Sequence, residues 1–576
     1  MLRHLRPLAA PLLGLVVACA GSPPHPAPKP VPSAAPFATG SQAPSPPRPR
    51  TVVVALVVDQ LAAWVLQSRI GALPTTGGFA RLAREGTYVE DLRYDHAITE
   101  TAPGHAALFT GGPPSRSGIV ANERIDLATR KKVSFLRDAA ARLVTTEGIA
   151  DAPGSSLASL KNRTVADVLR AAEPRARIYS ISLKDRGAIF GGGAKPDASL
   201  WFDPNRDAFV SSTAFAKELP TWAKAKTAAR TEHPRWEPLD PTWLHAHAAG
   251  VDRQEGEGDL VGMGLTFPHP VTSGHAFRAT PFADEALVEL GLRALDSQAG
   301  DAPVMLSLSF SSNDYVGHVF GAESWEAWDE LYRLDALLGR FFAGLDQRYG
   351  AAGWSALLSA DHGVAPLPEL TSVGMRPWCA KGAPPDRWQR PCVAGIRLQP
   401  DAMAEELRTV AKATVGEGDF VLGLADPYVW LTPTGRALPA ERKKKLLDAL
   451  AAHLRKMPGV ERVVFTQDAC ADHGGDTVDE LVCRSIDPSA GGELYVVVGQ
   501  TSFFDPEYVI GKGVSHGTPL PFDRSVPFLA RSPERIPAGV VNRNPMAVGA
   551  YARTLASLLG IEAPSDATKA PTLTQK

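Results

Sequence analysis

The chain has 576 residues, 44% of them hydrophobic, and a formal net charge of -2. That length suits one large α/β domain with insertions, or a few smaller domains. The balanced charge gives no sign of the basic surface that nucleic acid requires, and past the N-terminus no apolar run approaches the roughly 20 residues of a membrane-spanning helix.

The chain opens on a targeting signal. Arg3, His4 and Arg6 form a basic head, and the apolar stretch Pro7 to Ala18 is too short to cross a bilayer. Val16-Val17-Ala18-Cys19 resembles a bacterial lipobox, in which the signal is cut before the cysteine and the thiol carries lipid. The resemblance implies that residues 1–18 are removed and that the protein is exported and held in the cell envelope by Cys19. Ala20 in place of Asp favours the outer membrane, and the membrane is expected as a partner only through this anchor. Residues 19–50 follow as a tether: eleven prolines between Ala20 and Arg50 make it extended and semi-rigid, rising about 3.1 Å per residue where polyproline II forms. A monomer is expected.

The fold is predicted to begin at Thr51. Val52 to Val58 is continuously apolar and β-branched, the pattern of a strand buried on both faces of a parallel sheet. Further strands are predicted at Arg177–Ser182, Val304–Phe310 and Ser355–Ser359, with amphipathic helices between them. The clearest helix runs from about Trp325 to Tyr349, with Leu331, Leu334, Leu338, Phe341 and Leu345 on one stripe. This alternation predicts an α/β class with a mainly parallel central sheet and helices on both faces, built from residues 51–364 and 510–563.

Residues 365–509 read differently, as an inserted α+β subdomain. A strand at Tyr428–Leu431, a helix near Ala440 to Lys456 and a strand from Val460 to Thr466 fall here. So do four cysteines in two pairs of equal spacing. An even number in an exported chain points to disulfides, Cys379–Cys392 and Cys470–Cys483, and the absence of a CxxC argues against a four-cysteine zinc site. Residues 564–576 read as a flexible tail.

Ligands in α/β sheets lie beyond the carboxyl ends of the strands. There the sequence places Asp59, then Asp314 with His318 four residues on, then Asp361-His362, and late in the chain His516. Any one of these could be a helix cap or a satisfied polar side chain. Together they are the carboxylate and imidazole donors that Zn²⁺ accepts, and the spacing of Asp314 and His318 puts both on one face of a helical turn. Asp472-His473-Gly474 repeats the Asp-His-Gly string but follows no buried strand, and it reads as a loop. His245-Ala246-His247 is likewise set aside.

Two further segments point to an anion. Pro103 suits the first turn of a helix that ends before Gly111-Gly112, so Thr101 stands at a helix entrance, where phosphate is attracted. Its hydroxyl is a weak nucleophile unless a metal or base deprotonates it. Lys184 and Arg186 follow the Arg177–Ser182 strand. On an extended chain, residues two apart point the same way, so both are predicted to converge on one anion.

These blocks resemble the alkaline phosphatase superfamily and, within it, the PafA-type monoesterases. The matching segments include Thr101-Ala102-Pro103-Gly104-His105, Gly118 to Asn122, Ser182 to Gly187, Asp361-His362-Gly363 and Ser515 to Pro519, in family order. The resemblance implies two Zn²⁺ ions, one on Asp59, Asp361, His362 and Thr101, the other on Asp314, His318 and His516. It implies that Thr101 attacks phosphorus and becomes phosphorylated, that the second metal assists the leaving oxygen and then water, and that Asn122, Lys184 and Arg186 bind the phosphate oxygens of small phosphate monoesters. Sulfatases of the superfamily carry Cys or Ser followed by x-Pro-x-Arg, which Thr101 to His105 lacks. The closer rival is a nucleotide pyrophosphatase/phosphodiesterase, against which Lys184 and Arg186 argue, since two added cations favour the more highly charged monoester. A lipoprotein that only binds a partner would leave all ten residues unexplained.

Overall fold

The structure, a computed structural model, describes residues 51–248, 250–298, 300–370, 376–470, 477–499, 502–505 and 508–575. The signal, the tether and Asp472-His473-Gly474 lie outside them.

Val52–Val58 forms the predicted strand with all seven residues buried, and Val304–Phe310 does the same beside it. The two pair in parallel from Val52↔Val304 to Val58↔Phe310. Ser355–Ser359 pairs in parallel on the other side of Val52–Val58, and Arg177–Ser182 on the far side of Val304–Phe310. Ala198–Asp203 extends this parallel centre by one strand. Antiparallel strands flank it: Ala208–Ser212 at one side, Ser525–Arg531 and then Thr87–Arg93 at the other. The sheet is therefore mixed at its margins and parallel where the strands are most apolar, and helices cover both faces. The helix Trp325–Tyr349 matches its prediction. Ser324 caps it by accepting from Ala327 N, and Leu331, Leu334, Leu338, Phe341 and Leu345 are all buried.

In the second region, Val421–Ala425, Tyr428–Leu431, Leu494–Val498 and Val460–Phe465 form a four-stranded antiparallel sheet in that spatial order. Strand alternation sorts its side chains onto two cores. Val429, Leu431, Leu494, Val496 and Val498 pack with Leu407, Leu446, Leu450 and Leu454 from the helices Pro400–Val415 and Ala440–Leu454. Tyr428, Trp430, Tyr495 and Val497 join the core of the main body instead. This sheet is thus attached to the body through one whole face. Cys379–Cys392 and Cys470–Cys483 are bonded as expected.

The tail departs from its expected flexibility. Thr568 donates both its N–H and its hydroxyl to the carbonyl of Gly111, at 2.8 and 2.6 Å, and Gln575 N–H reaches the Arg535 carbonyl at 2.8 Å. Gly111 ends the Thr101 helix, so its carbonyl has no partner within the helix, and the tail supplies one.

Leu450 is fully buried between the helices and the sheet of the second region. We expect Leu450→Ala to lower stability by about 2–5 kcal/mol, read from the urea midpoint at unchanged m-value.

Candidate active site

The parallel register sets the site. Asp59 follows Val58, and its N–H closes the ladder on the Phe310 carbonyl at 2.8 Å. Asp361 lies just past Ser359. Asp314 lies in the first turn of the helix Ser312–Phe320, directly after the Val304–Phe310 strand. Three carboxylates therefore meet at the carboxyl ends of three adjacent strands, all fully buried.

The imidazoles are oriented from behind. His318 Nδ1 donates to the Val514 carbonyl at 2.8 Å, His516 Nδ1 to Thr99 at 2.6 Å and His362 Nδ1 to Gly363 at 3.0 Å. A carbonyl can only accept, so each Nδ1 carries the proton and each Nε2 presents a lone pair inward. His318 Nε2 is 3.2 Å from Asp314 Oδ1, and His362 Nε2 is 3.5 Å from Asp59 Oδ1. Lone pairs of imidazole and carboxylate facing each other repel unless a cation or proton lies between. Two ligands about 2.1 Å from a tetrahedral ion stand about 3.4 Å apart, which these separations match. Asp59 Oδ1 is buried and meets no hydrogen-bond donor. The donor set thus fits a metal.

Two groups of ligand atoms gather closely, Asp314–His318–His516 and Asp59–Asp314–His362. The first is the set predicted. In the second, Asp314 stands where Asp361 was predicted. Asp361 Oδ1 accepts from the N–H groups of Gln60 and His362, and Oδ2 lies 3.0 Å from His105 Nδ1 and 3.7 Å from His362 Nε2. His105 from the Thr101 helix holds this carboxylate one step outside the closest cluster.

Lys184 Nζ sits 2.6 Å from Asp59 Oδ2 and 2.5 Å from Asp314 Oδ2. Burial opposes its charge, but Asp314 and Asp59 hold its pKa above the ordinary lysine value. Burial, with Asp314 and Asp361, pushes Asp59 well above the usual carboxylate range. Burial also works against Asp314, yet His318 and Lys184 hold it well below. Burial first, then the neighbouring imidazoles, keeps His516 neutral.

Thr101 is the first residue of the helix Thr101–Thr110 and is buried, its Oγ1 3.3 Å from Lys184 Nζ and 3.5 Å from His362 Nε2. It opens on a cavity of about 380 Å³ that Asn122, Lys184, Arg186, His318 and His516 also line. Arg186 reaches that cavity by a different route from the one predicted. Asp185 starts a helix, Asp185–Gly192, with Lys184 as its cap, so the chain does not stay extended here, yet Lys184 and Arg186 still line the same cavity. The far wall comes from the second region, through Pro400, Phe504 and Tyr508.

Several residues of the site carry no signal in the sequence beyond their neighbours. Gln60 adopts a left-handed φ of 67°, which lets its N–H reach Asp361 and its Nε2 reach Asp314 Oδ1 at 2.9 Å. Gly317 makes room for it, since a Cβ there would lie 1.9 Å from Gln60 Oε1. Gly104 lets the Thr101 helix touch the Asp361 backbone, where a Cβ would lie 2.1 Å from the carbonyl oxygen. Glu100 and His105 are the others. His245 and His247, set aside above, are engaged in ring packing with Trp325 and Trp243.

A serviceable metal pocket at the strand ends, with a hydroxyl at a helix N-terminus above it, defines a hydrolase of the alkaline phosphatase superfamily. Residues 53–485 match the family model of type I phosphodiesterase / nucleotide pyrophosphatase, and the chain belongs to that family. It is 29% identical to alkaline phosphatase PafA of Elizabethkingia meningoseptica, over 91% of this chain and 94% of that protein. To alkaline phosphatase PhoK of Sphingomonas sp it is 30% identical, over 84% of this chain and 83% of the relative. The crystal structure of wild-type PafA superposes with a TM-score of 0.78 at 27% identity, covering 91% of this chain and 98% of that one.

We expect Gly104→Ala to push the Thr101 helix off the Asp361 backbone. A shift on the scale of 1 Å lowers turnover about a hundredfold, and metal analysis will show the ion content retained.

Proposed function

We propose that the chain is a Zn²⁺-dependent phosphomonoesterase that works through Thr101. The observation that carries this reading is the position of Thr101 Oγ1: buried at a helix N-terminus, beside Lys184 and His362, and facing a cavity that holds Asn122 and Arg186. A variant of PafA has been crystallised with one threonine, one asparagine, one lysine and one arginine substituted, at the same intervals along its chain as Thr101, Asn122, Lys184 and Arg186. That correspondence supports treating these four as the reacting set.

In this reading Asp59, Asp361 and His362 hold one Zn²⁺ with Thr101, and Asp314, His318 and His516 hold the second. When bound, the ions supply Lewis-acid stabilisation of the developing charge and make oxygen nucleophiles available at moderate pH. Thr101 Oγ1 forms a bond to phosphorus as the ester oxygen leaves with its electron pair and gains a proton. Water then cleaves the phosphothreonine, returning the hydroxyl and releasing phosphate. The helix N-terminus turns the positive end of its dipole toward the anion, while the Ala102 N–H is taken by Asn122 Oδ1. Arg186 offers a guanidinium fork to the non-bridging oxygens, Asn122 an amide donor, and Lys184 an ammonium next to Thr101 Oγ1. A monoester carries one more negative charge than a diester, so these groups favour it, whereas the nucleotide pyrophosphatase/phosphodiesterase reading makes no use of the Lys184–Arg186 pair.

Export and a lipid anchor at Cys19 complete the proposal, with a monomer held off the membrane by residues 19–50. Among the described residues, no helix is long and apolar enough to cross a membrane.

Steady-state rates on p-nitrophenyl phosphate and its bis ester test the reading: zinc-loaded protein is expected to favour the monoester strongly, and diester preference would move it to the phosphodiesterase branch. Thr101→Ala is expected to lower kcat by at least about a thousandfold with zinc content near normal. The double substitution Lys184→Ala with Arg186→Ala is expected to reduce monoester kcat/KM far more than diester kcat/KM, and equal losses would remove the case for a monoesterase.

A further inference from the structure

The residues from Ala97 to Ala102 are tied down almost one by one. Ala97 and Ile98 N–H groups donate to Ser485 Oγ at 2.7 and 3.1 Å. The Thr99 carbonyl accepts from His516. Glu100 Oε2 accepts from the backbone N–H of Asn122 at 2.5 Å, and Asn122 Oδ1 accepts from the N–H of Ala102 at 2.8 Å. Thr101 lies at the centre of this last ring, which runs from the Glu100 side chain through Asn122 to Ala102 and closes along the backbone.

The ring determines which way the Asn122 amide faces. Its oxygen is held against the helix N-terminus, so its NH₂ group must turn to the other side, into the cavity that Glu100, Thr101 and Asn122 share. Asn122 itself is half-buried in the turn before the Glu123–Ile125 strand. Glu100 is only 5% exposed. Glu100 lines the cavity, and one oxygen of its side chain accepts the Asn122 N–H.

We propose that Glu100 is a positioning residue that aims the Asn122 amide at the substrate phosphate. This rests on the reading of the cavity as a phosphate-ester site, and Glu100 itself touches no reacting atom.

The test is a double-mutant cycle on the zinc-loaded full chain, using whichever of the two nitrophenyl esters the wild type turns over. The wild-type rates judge the phosphatase reading, and the cycle judges Glu100. Asn122→Ala is expected to lower kcat/KM about a hundredfold. Glu100→Ala should lower it about tenfold, and Glu100→Gln, whose amide oxygen still accepts the Asn122 N–H, should stay within about threefold of wild type. In the Asn122→Ala background, Glu100→Ala should change the rate by less than about twofold. Losses that multiply across the two sites, or Glu100→Gln as impaired as Glu100→Ala, would overturn the proposal. Should Glu100→Ala fail to fold, Glu100→Met, which keeps bulk without an acceptor, makes the same comparison.

Discussion

Three buried carboxylates at the ends of adjacent parallel strands are the constraint that organises this molecule. Asp59 and Asp361 follow neighbouring strands directly, and Asp314 enters on the helix after the third. The register leaves them no way to separate, and burial removes the water that would screen them. What surrounds them answers that repulsion. Lys184 bridges two of them, His105 and Gln60 engage the third, and Gln60 accepts an unfavourable backbone conformation to do so. The three histidines complete the answer by turning their lone pairs inward, where a cation or a proton relieves the repulsion.

The nucleophile is coupled to the second region by the chain leading into its helix. Ser485, in the helix Val478–Ser485, holds Ala97 and Ile98. Leu481 of the same helix also accepts from Ala97 N–H, Cys483 ties the helix to Cys470, and the Tyr428 hydroxyl reaches the Ser485 carbonyl at 3.2 Å. The second region therefore does more than roof the cavity. Through Ser485 it holds the backbone three and four residues ahead of Thr101.

Much of this was legible in the sequence, for reasons that differ by residue. Val52–Val58 is recognisable because a strand buried on both faces has no polar alternation, and Trp325–Tyr349 because its apolar stripe keeps helical period over seven turns of chain. Asp314 and His318 are readable because a four-residue step on a helix is a local fact. Glu100, Gln60 and His105 were not readable as parts of the site, since their duties are set by partners across the fold: Glu100 acts on Asn122, and Gln60 and His105 both act on Asp361. Asp361 lies next to the tightest group, its Oδ2 3.7 Å from His362 Nε2. Arg186 shares a cavity with Lys184 as expected, although the chain turns helical at Asp185 rather than staying extended. The tail was misread because its composition carries no trace of the Gly111 carbonyl that receives Thr568.

The electrostatics also bear on what the cavity can bind. Lys184 is fully engaged by Asp59 and Asp314, so it neutralises the floor of the site before it can serve an incoming anion. Despite burial, Asp314 and Asp361 are held below the usual carboxylate range while Asp59 is pushed well above it, so two ionised carboxylates stand against Lys184 and Arg186. A floor so balanced offers a dianionic phosphate little net attraction. Divalent cations held by these carboxylates and imidazoles would make the floor positive and would compete with Lys184 for Asp59 and Asp314. Affinity for the substrate and reactivity of the hydroxyl would then rise and fall together with metal occupancy, because the same carboxylates that hold the ions are those that otherwise hold Lys184.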